Sequence, residues 1–325
     1  MIAMARSGMI ATLFALAGCA SVKDFPSHDE LSPARAIDDG AIATLVQGIE
    51  VDEEGAGVDA KALRVLSDGD SLYWVSHSGK LSTLSLANGA PEMLVESGVC
   101  RLVGVNALGI YFISNHDVYR RSRNGNIENL TNRQTIQSAT LRGEVLTWIS
   151  EIPMPVVESN GTGTASARTV GVFTQDGARN VRQLAELENM ATGEIASTAT
   201  TLFITDALLL SLPNARTAPA LMKPLRINAF CDLLLADEEA AYCDLQRVAN
   251  DGTVSVLSEQ MAARIAMDGD SIYFTTRYPK TMLYKVSKKG GAVLPIAEED
   301  VRVVAADTRA IYWITGTGDL KRRQK

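Results

Sequence analysis

The chain lacks most of the residues and motifs on which well-known enzyme classes depend. Its 325 residues include three histidines and four cysteines. It contains no G-x-S-x-G, no H-E-x-x-H, no C-x-x-C and no phosphate-binding glycine loop followed by a helix. Candidates for a general base are scarce because histidine is scarce. We therefore predict no catalytic residue and no set of metal ligands at the spacing of a known motif. The only cofactor that we expect is the lipid anchor described below.

Two further absences bound the class of protein. Basic residues are not in excess, since 31 Lys and Arg face 38 Asp and Glu, for a net charge of -7. Nucleic-acid binding needs a basic surface, so we expect no nucleic-acid partner. The apolar stretch from Met9 to Ala17 is too short to span a bilayer as a mature helix. Hydrophobic residues still make up 46 % of the chain, which is enough for a sizeable core.

Seven short strand-like phrases recur along the chain. Aligned on their middle residues, they are separated by 38, 36, 55, 40, 31 and 39 residues. A period near 40 with strand chemistry is typical of a β-propeller. The phrases are Leu72-Tyr73-Trp74, Ile110-Tyr111-Phe112, Leu146-Thr147-Trp148, Thr201-Leu202-Phe203, Ala241-Tyr242-Cys243, Ile272-Tyr273-Phe274 and Ile311-Tyr312-Trp313. The predicted fold is all-β, a single propeller of seven four-stranded blades, with the aromatic residues packed between blades.

The two ends of the chain are predicted to share one blade. The last unit stops after its third strand, and the segment Ile42 to Val46 resembles the fourth strands of other units. Closure by an N-terminal strand removes an open sheet edge. The long interval of 55 residues is assigned to an inserted loop from Glu151 to Ala167, and the short interval of 31 to a fifth blade with almost no loop between its second and third strands. The closing basic run, 321–325, is predicted to be a solvated strand edge.

The amino terminus has the outline of a secretory signal peptide. Within it, Leu16-Ala17-Gly18-Cys19 resembles the lipobox of bacterial lipoproteins. That resemblance implies removal of residues 1–18, a diacylglycerol and an N-acyl chain such as palmitate on Cys19, and permanent anchoring of the protein in a membrane. The alternative is an unmodified cysteine at an ordinary signal end. Because Ala20 and Ser21 are not aspartate, the resemblance favours the outer membrane. Residues 19–40 are interpreted as a lipidated flexible tether and 41–325 as the propeller domain.

A second resemblance concerns the repeated phrases. Tyr73-Trp74-Val75-Ser76 and Tyr312-Trp313-Ile314-Thr315 resemble the YWTD repeat of lipoprotein-receptor-type propellers, and the whole chain resembles bacterial lipoproteins with YWTD-like or TolB-like propeller repeats. The resemblance implies fold and binding behaviour and gives no activity. The family's aspartate is replaced by a hydroxyl residue, so any role of that repeated aspartate does not transfer. The hydroxyls are Ser76, Ser114, Ser150, Thr205 and Thr276.

Apart from Cys19, three cysteines remain, so at most one internal disulfide can form. Cys231 is predicted to open a strand and Cys243 to end the returning strand after a turn at 237–239. This places the two cysteines opposite or diagonal to each other. A disulfide and a pair of buried thiols are both compatible with this arrangement. Cys100 is expected to be a buried core thiol in either case.

Residues that could bind a ligand lie just after the second strand of each blade. In a propeller these loops share one face with the connections between blades, and ligands usually meet that face. The candidate residues for rim binding are His77, Asn115, His116, Glu151, Asp206, Asp244, Arg277 and Tyr278. His77, His116 and Glu151 lie on successive blades and could ligate a metal, although spacings imposed by blades are no metal signature. Exposed polar loop ends are the plainer interpretation.

The function that these observations favour is a non-enzymatic one. We expect a monomeric, lipid-anchored cell-envelope propeller of the outer membrane that binds a peptide, protein or envelope component through its rim. The alternative is a metal-dependent hydrolase or lyase that uses the rim histidines and carboxylates. A quinone-dependent redox propeller would need a tryptophan-rich repeat, and the chain has only three tryptophans.

Overall fold

The computed structural model describes residues 42–51, 65–87, 89–132, 134–152, 169–188, 193–205, 209–213, 225–227, 231–276 and 282–325. Every secondary-structure element in these ranges is a β-strand, and the strands form seven antiparallel sheets of four strands each. This is the predicted seven-bladed propeller. Within the same ranges no helix is long and apolar enough to cross a membrane.

Blades 1 to 4 each use four consecutive strands. The strands of blade 1 are β2 (Val65–Ser67), β3 (Ser71–Val75), β4 (Leu81–Ser85) and β5 (Pro91–Val95). Those of blade 2 are β6 (Val99–Asn106), β7 (Gly109–Ser114), β8 (Asp117–Ser122) and β9 (Ile127–Asn129). Those of blade 3 are β10 (Ile136–Arg142), β11 (Val145–Glu151), β12 (Thr169–Gln175) and β13 (Val181–Glu188). Those of blade 4 are β14 (Ile195–Ser197), β15 (Thr201–Thr205), β16 (Leu209–Pro213) and β17 (Leu225–Ile227).

Blades 5 and 6 follow the same plan, and blade 7 borrows its fourth strand. The strands of blade 5 are β18 (Leu234–Ala236), β19 (Ala240–Cys243), β20 (Gln246–Ala249) and β21 (Val254–Val256). Those of blade 6 are β22 (Ala262–Met267), β23 (Ser271–Thr276), β24 (Leu283–Ser287) and β25 (Leu294–Ala297). Those of blade 7 are β26 (Val301–Ala306), β27 (Ala310–Thr315), β28 (Leu320–Gln324) and β1 (Ile42–Val46).

The predicted closure by the N-terminal strand is confirmed. β1 pairs antiparallel with β28, with Ile42 opposite Arg323 and Val46 opposite Leu320. The connection to blade 1 is fixed by the Ile49 N–H, which donates to the Gly318 carbonyl oxygen at 3.0 Å. Gly318 has φ +82, and a Cβ there would collide with the Ile49 carbonyl. Glycine is therefore required where the two ends of the chain meet.

The hydrophobic core is divided into seven clusters, one between each pair of neighbouring blades. The aromatic residues of the repeated phrases fill these seams. Trp74, Trp148 and Trp313 are at most 2 % exposed, which confirms inter-blade packing as their role. Because each cluster takes residues from two blades, no blade can bury its own faces alone. The seams thus hold the ring together.

Three finer expectations have mixed outcomes. The fifth blade is compact as expected, since only Asp244 and Leu245 separate β19 from β20. The inserted loop falls mostly at 153–168, outside the described residues. The expectation for the basic run 321–325 was wrong. β28 is an inner strand paired with β27 and β1, and Lys321 and Lys325 bond to Glu299 and Asp268 of neighbouring segments.

The turn between the first and second strands carries a repeated polar unit. In blades 1, 5, 6 and 7 an aspartate follows the first strand, and a tyrosine comes five residues later. Each carboxylate accepts the tyrosine hydroxyl at 2.7–3.0 Å and also caps two backbone N–H groups of the turn. The pairs are Asp68 and Tyr73, Asp237 and Tyr242, Asp268 and Tyr273, and Asp307 and Tyr312. We name this the Asp–Tyr unit. The turns around the aspartates could be predicted from the sequence. The hydrogen bond between each aspartate and its tyrosine was not predicted.

Candidate functional site

The loops after the second strands share one face with the connections between blades, as expected. The N–H of Val99, which opens blade 2, donates to the Gly79 carbonyl of blade 1 at 3.0 Å, and Ile136, which opens blade 3, donates to the His116 carbonyl of blade 2 at 2.9 Å. We call this side the upper face. The lower face carries the turns between first and second strands and between third and fourth strands. The backbone of the upper face is therefore tied from blade to blade.

Three of the candidate rim residues stand at exposed turn tips. Asn115 and His116 form a two-residue turn, because the flanking residues Ser114 and Asp117 pair directly. Their φ angles are 46° and 63°, as in the hairpin turns that match strand twist. His77 is exposed on the neighbouring blade, and its N–H donates to the Glu50 carbonyl at 3.2 Å. These side chains project from a rim whose backbone is already fixed.

The other candidates differ from these three. Glu151 is half-buried at the end of β11, and its N–H donates to the Thr135 carbonyl at 3.3 Å. The Asp244 carboxylate accepts the N–H groups of Leu233 at 3.1 Å and Asp232 at 3.3 Å, so it holds the entry of blade 5 in place. Asp206, Arg277 and Tyr278 lie outside the described residues. Among the residues that are described, no three His, Cys, Asp or Glu side chains are grouped to hold a metal ion.

The hydroxyls that recur at the ends of the second strands bond to nearby groups, mostly of the backbone. Ser114 donates to the Gly98 carbonyl at 2.6 Å. Thr205 accepts the Glu194 N–H at 2.7 Å, and Ser76 accepts the Lys80 N–H at 3.3 Å. Each thus stabilises a loop of the upper face. These bonds need no charge on the side chain.

A buried ion pair lies at the inner edge of the ring. Arg101 of β6 contacts Glu194, which directly precedes β14, and the two side chains are only 11 % and 9 % exposed. Ser138 of β10 lies between them, donating to Glu194 at 3.5 Å and accepting the Ile195 N–H at 3.3 Å. The pair joins blades 2 and 4, which are not neighbours, through their innermost strands. It therefore sits at the upper end of the central channel.

β-bulges near the start of the first strands position the side chains of Arg101 and Ser138. The pairing register shifts by one residue in four blades, at the same place relative to the second strand. Such bulges re-aim side chains at the rims of closed sheets. The residues at the shifts are Cys100, Gln137, Ala263 and Arg302. Cys100 is half-buried at its bulge, so the expectation that it is a buried core thiol was wrong.

The Arg101–Glu194 pair was missed in the sequence because it has no local signal. The residues are separated by 93 positions and lie in unlike sequence contexts.

Cys231 and Cys243 are, by contrast, close in the chain, and their sulfur atoms are bonded, with Cα atoms 5.1 Å apart. Cys243 ends β19 as expected, whereas Cys231 precedes β18 by three residues instead of opening it. The bond links the entry of blade 5 to its second strand.

Comparison with known proteins identifies the fold only. No protein-family model matches the chain, and no curated protein is similar to it in sequence. Among solved structures, an oligogalacturonate lyase in complex with manganese superposes with a TM-score of 0.61 at 11 % identity, covering 91 % of this chain and 97 % of that one. An oligogalacturonate lyase from Vibrio parahaemolyticus gives 0.57 at 10 % identity, covering 88 % and 98 %. An auxiliary nutrient binding protein from Bacteroides thetaiotaomicron gives 0.50 at 12 % identity, covering 86 % and 75 %.

Proposed function

We propose that the protein is a lipid-anchored cell-envelope propeller that binds a peptide, protein or envelope component without chemical turnover, through the rim of its upper face. The lipobox-like Leu16 to Cys19 segment supports the anchor. The observation that carries the binding proposal is the rim itself. His77, Asn115 and His116 are exposed on adjacent blades, on a backbone that neighbouring blades hold in place. A preformed surface of this kind binds with little ordering cost.

The ion pair at the channel end favours binding across the rim over binding inside the channel. Arg101 and Glu194 fill the inner edge between blades 2 and 4. A ligand that entered there would have to separate two buried charges, which is costly. A ligand that lies across the turn tips would leave the pair intact. The ligand is therefore expected to contact blades 1 and 2 from above.

Four described carboxylates of the upper face are engaged in structural bonds, which weighs against the hydrolase or lyase alternative. Glu194 is paired with Arg101. Asp244 caps two backbone N–H groups. Glu299 accepts the Trp313 indole N–H at 2.7 Å and contacts Lys321, and Asp300 is 2.7 Å from Arg302. A general acid or base must exchange protons with a substrate, and these groups are committed to the fold.

Site-specific crosslinking tests the binding face. A photo-crosslinking amino acid at His116 is compared with one at Asn124, which is exposed on the lower face of the same blade. In native envelopes, position 116 should give one defined adduct whose partner is then identified by mass spectrometry, and position 124 should not. The same adduct from both positions, or none from 116 and 77, would contradict rim binding.

The anchor is tested separately. The full chain, produced in a Gram-negative host with labelled palmitate, should incorporate label and sediment with outer membranes, and Cys19→Ala should do neither. If Cys19→Ala remains membrane-bound and the wild type is unlabelled, the lipoprotein assignment is wrong.

Metal analysis of the full chain in detergent addresses the enzyme alternative. A stoichiometric metal that is lost in His77→Ala and His116→Ala would favour a metal-dependent enzyme.

A further inference from the structure

Three seams of the ring share a lower-face lock, and a fourth seam with the same Asp–Tyr unit departs from it. At the 1/2 seam, Arg123 of blade 2 donates to the Tyr73 hydroxyl at 2.8 Å and to Asp68 at 3.2 Å. At the 5/6 seam, Lys288 of blade 6 lies 2.7 Å from Asp237 and 5.2 Å from the centre of the Tyr242 ring. In each case a cation from the next blade binds the Asp–Tyr unit.

The 6/7 seam has the same arrangement, with Lys325 2.5 Å from Asp268 and 5.2 Å from the centre of the Tyr273 ring. All three cations come directly after the third strand of their blade. The backbone confirms the equivalence for two of them, because the Lys288 N–H donates to the Asp270 carbonyl and the Lys325 N–H to the Arg309 carbonyl.

At the 7/1 seam this position holds Leu86. Its N–H donates to the Asp70 carbonyl at 2.9 Å, as the lysines' do in their blades, but it brings no charge. Ser67 of blade 1 donates to Asp307 at 2.6 Å instead. With the Tyr312 hydroxyl and two backbone N–H groups, Asp307 already accepts four hydrogen bonds. The Asp307 carboxylate thus has its hydrogen-bond partners without a cation from the neighbouring blade.

A cleft of about 370 Å³ lies at this seam and holds donors in excess. Arg309 and Arg322 line it, together with Tyr312, Gln324 and Leu86. In its hydrogen-bonded orientation the Gln324 amide donates to the Arg309 carbonyl at 3.0 Å and accepts from Arg322 at 2.5 Å. The Arg322 Nε is buried and makes no hydrogen bond within the described residues. The one acidic lining residue, Asp70, has an 89 % exposed side chain, 3.8 Å from Arg309.

We propose that this cleft binds a small organic anion, with its carboxylate or phosphate group between Arg309 and Arg322 and its carbon body against Leu86. Two guanidinium groups recognise planar and tetrahedral oxyanions well. The volume suits a small molecule and not a polymer segment. The cleft lies on the lower face and is independent of the rim proposed above, so either site can exist without the other.

The probes are sodium succinate, its uncharged amide succinamide, and inorganic phosphate, titrated calorimetrically into the full chain in detergent. Succinate should bind and succinamide should not. Arg309→Gln and Arg322→Gln should each weaken binding about tenfold or more, as expected for a lost charge-assisted hydrogen bond. Arg120→Gln is the matched control. Arg120 faces Tyr111 across blade 2 as Arg322 faces Tyr312, and its Nε is likewise buried without a bond, but it does not line the cleft.

Leu86→Trp is a second variant that leaves both arginines intact and fills the cleft, so it should abolish binding. Phosphate binding with the same variant pattern would assign the site to a phosphoryl anion, and succinate binding to a carboxylate. Neither probe binding at millimolar concentration, or affinity unchanged in Arg322→Gln and Leu86→Trp, would overturn the proposal.

Discussion

The 6/7 and 7/1 seams have the same Asp–Tyr unit on one side and different residues on the other. Lys325 fills the first seam, contacting both Asp268 and the Tyr273 ring. Leu86 leaves the second seam open beside Arg309 and Arg322. Because the backbone hydrogen bonds of the two residues correspond, Leu86 and Lys325 occupy equivalent positions and differ in their side chains. In a repeat protein, a position that departs from the chain's own pattern stands out against an internal control.

The two seams also differ in how the chain closes them. The 6/7 seam joins consecutive segments, whereas the 7/1 seam depends on β1, which brings Leu45 and Val46 into the cluster shared by blades 7 and 1. The open seam is thus the one where the ring was joined from its two ends. The experiments below perturb these two seams, and the Asp268 and Asp307 variants compare the seams directly.

The largest effect is expected from deleting residues 41–48. This removes β1, exposes an edge of β28 and takes two buried side chains out of the 7/1 core. Losing such side chains costs about 2 to 5 kcal/mol each, which approaches the whole stability of a typical domain. We expect global unfolding or a large fall in melting temperature by circular dichroism. Ile42→Asp, at a side chain that is 48 % exposed, is the control and should have little effect. An unchanged melting temperature in the deletion would refute closure.

The next effect separates the two Asp–Tyr units. Asp268→Ala removes the partner of Tyr273, two backbone caps and the partner of Lys325, and should cost about 2 to 3 kcal/mol in the free energy of unfolding. Asp307→Ala removes the corresponding uncharged bonds and one more, from Ser67, but leaves no cation behind, so its cost should be smaller by at most about 1 kcal/mol. Urea unfolding of both variants measures the difference. Equal costs would mean that Lys325 contributes no more to its seam than Ser67 does to the other.

Acid should reveal the same asymmetry. Burial alone would raise the pKa of Asp268, but hydrogen bonds from Lys325, Tyr273 and two backbone N–H groups outweigh it and lower the pKa from the usual 3.8 to about 2. A carboxyl with a lowered folded-state pKa stabilises the protein fully above its unfolded pKa, and that stability is lost as the pH falls from 3.8 towards 2. In Asp268→Asn the free energy of unfolding should therefore decrease less steeply as the pH falls.

Asp307→Asn is the matched comparison for this measurement. The pKa of Asp307 is also lowered, with burial opposed by bonds from Ser67, Tyr312 and the backbone, but no lysine takes part. We expect it to flatten the acid limb less than Asp268→Asn does, when urea unfolding is followed at several pH values. The reverse order would show that Lys325 does not set the acid response.

The sequence was sufficient for the architecture and insufficient for the sites, for a physical reason. Strand pairing in a propeller is local, so Tyr73, Tyr273 and Tyr312 give the period, and the missing strand after β28 pointed to 42–46. The Asp–Tyr unit is also visible in the sequence, as an aspartate five residues before a tyrosine. Because aspartate is common in turns, the turn alone explained this residue, and its bond to the tyrosine was not predicted. Arg101 and Glu194 meet across two seams, and no spacing rule brings them together. The cleft could be found in the sequence only as a difference, because Leu86 stands where blades 6 and 7 have lysine and blade 2 has arginine.

The smallest effect is expected from placing a lysine at the 7/1 seam, where the 6/7 seam has Lys325. Leu86→Lys should place an ammonium near Asp307 and the Tyr312 ring, as Lys325 is placed at the 6/7 seam, while its stem covers the surface that Leu86 covers now. A partly exposed pair of this kind contributes at most about 1 kcal/mol at low ionic strength, and salt near 1 M should cancel it. Urea unfolding at low and high salt measures this, with Leu86→Met as the uncharged control. A loss of stability confined to low salt would show instead that Arg309 and Arg322 repel a third cation. In that case their combined field, and not the missing lysine, is what keeps the seam open to an anion.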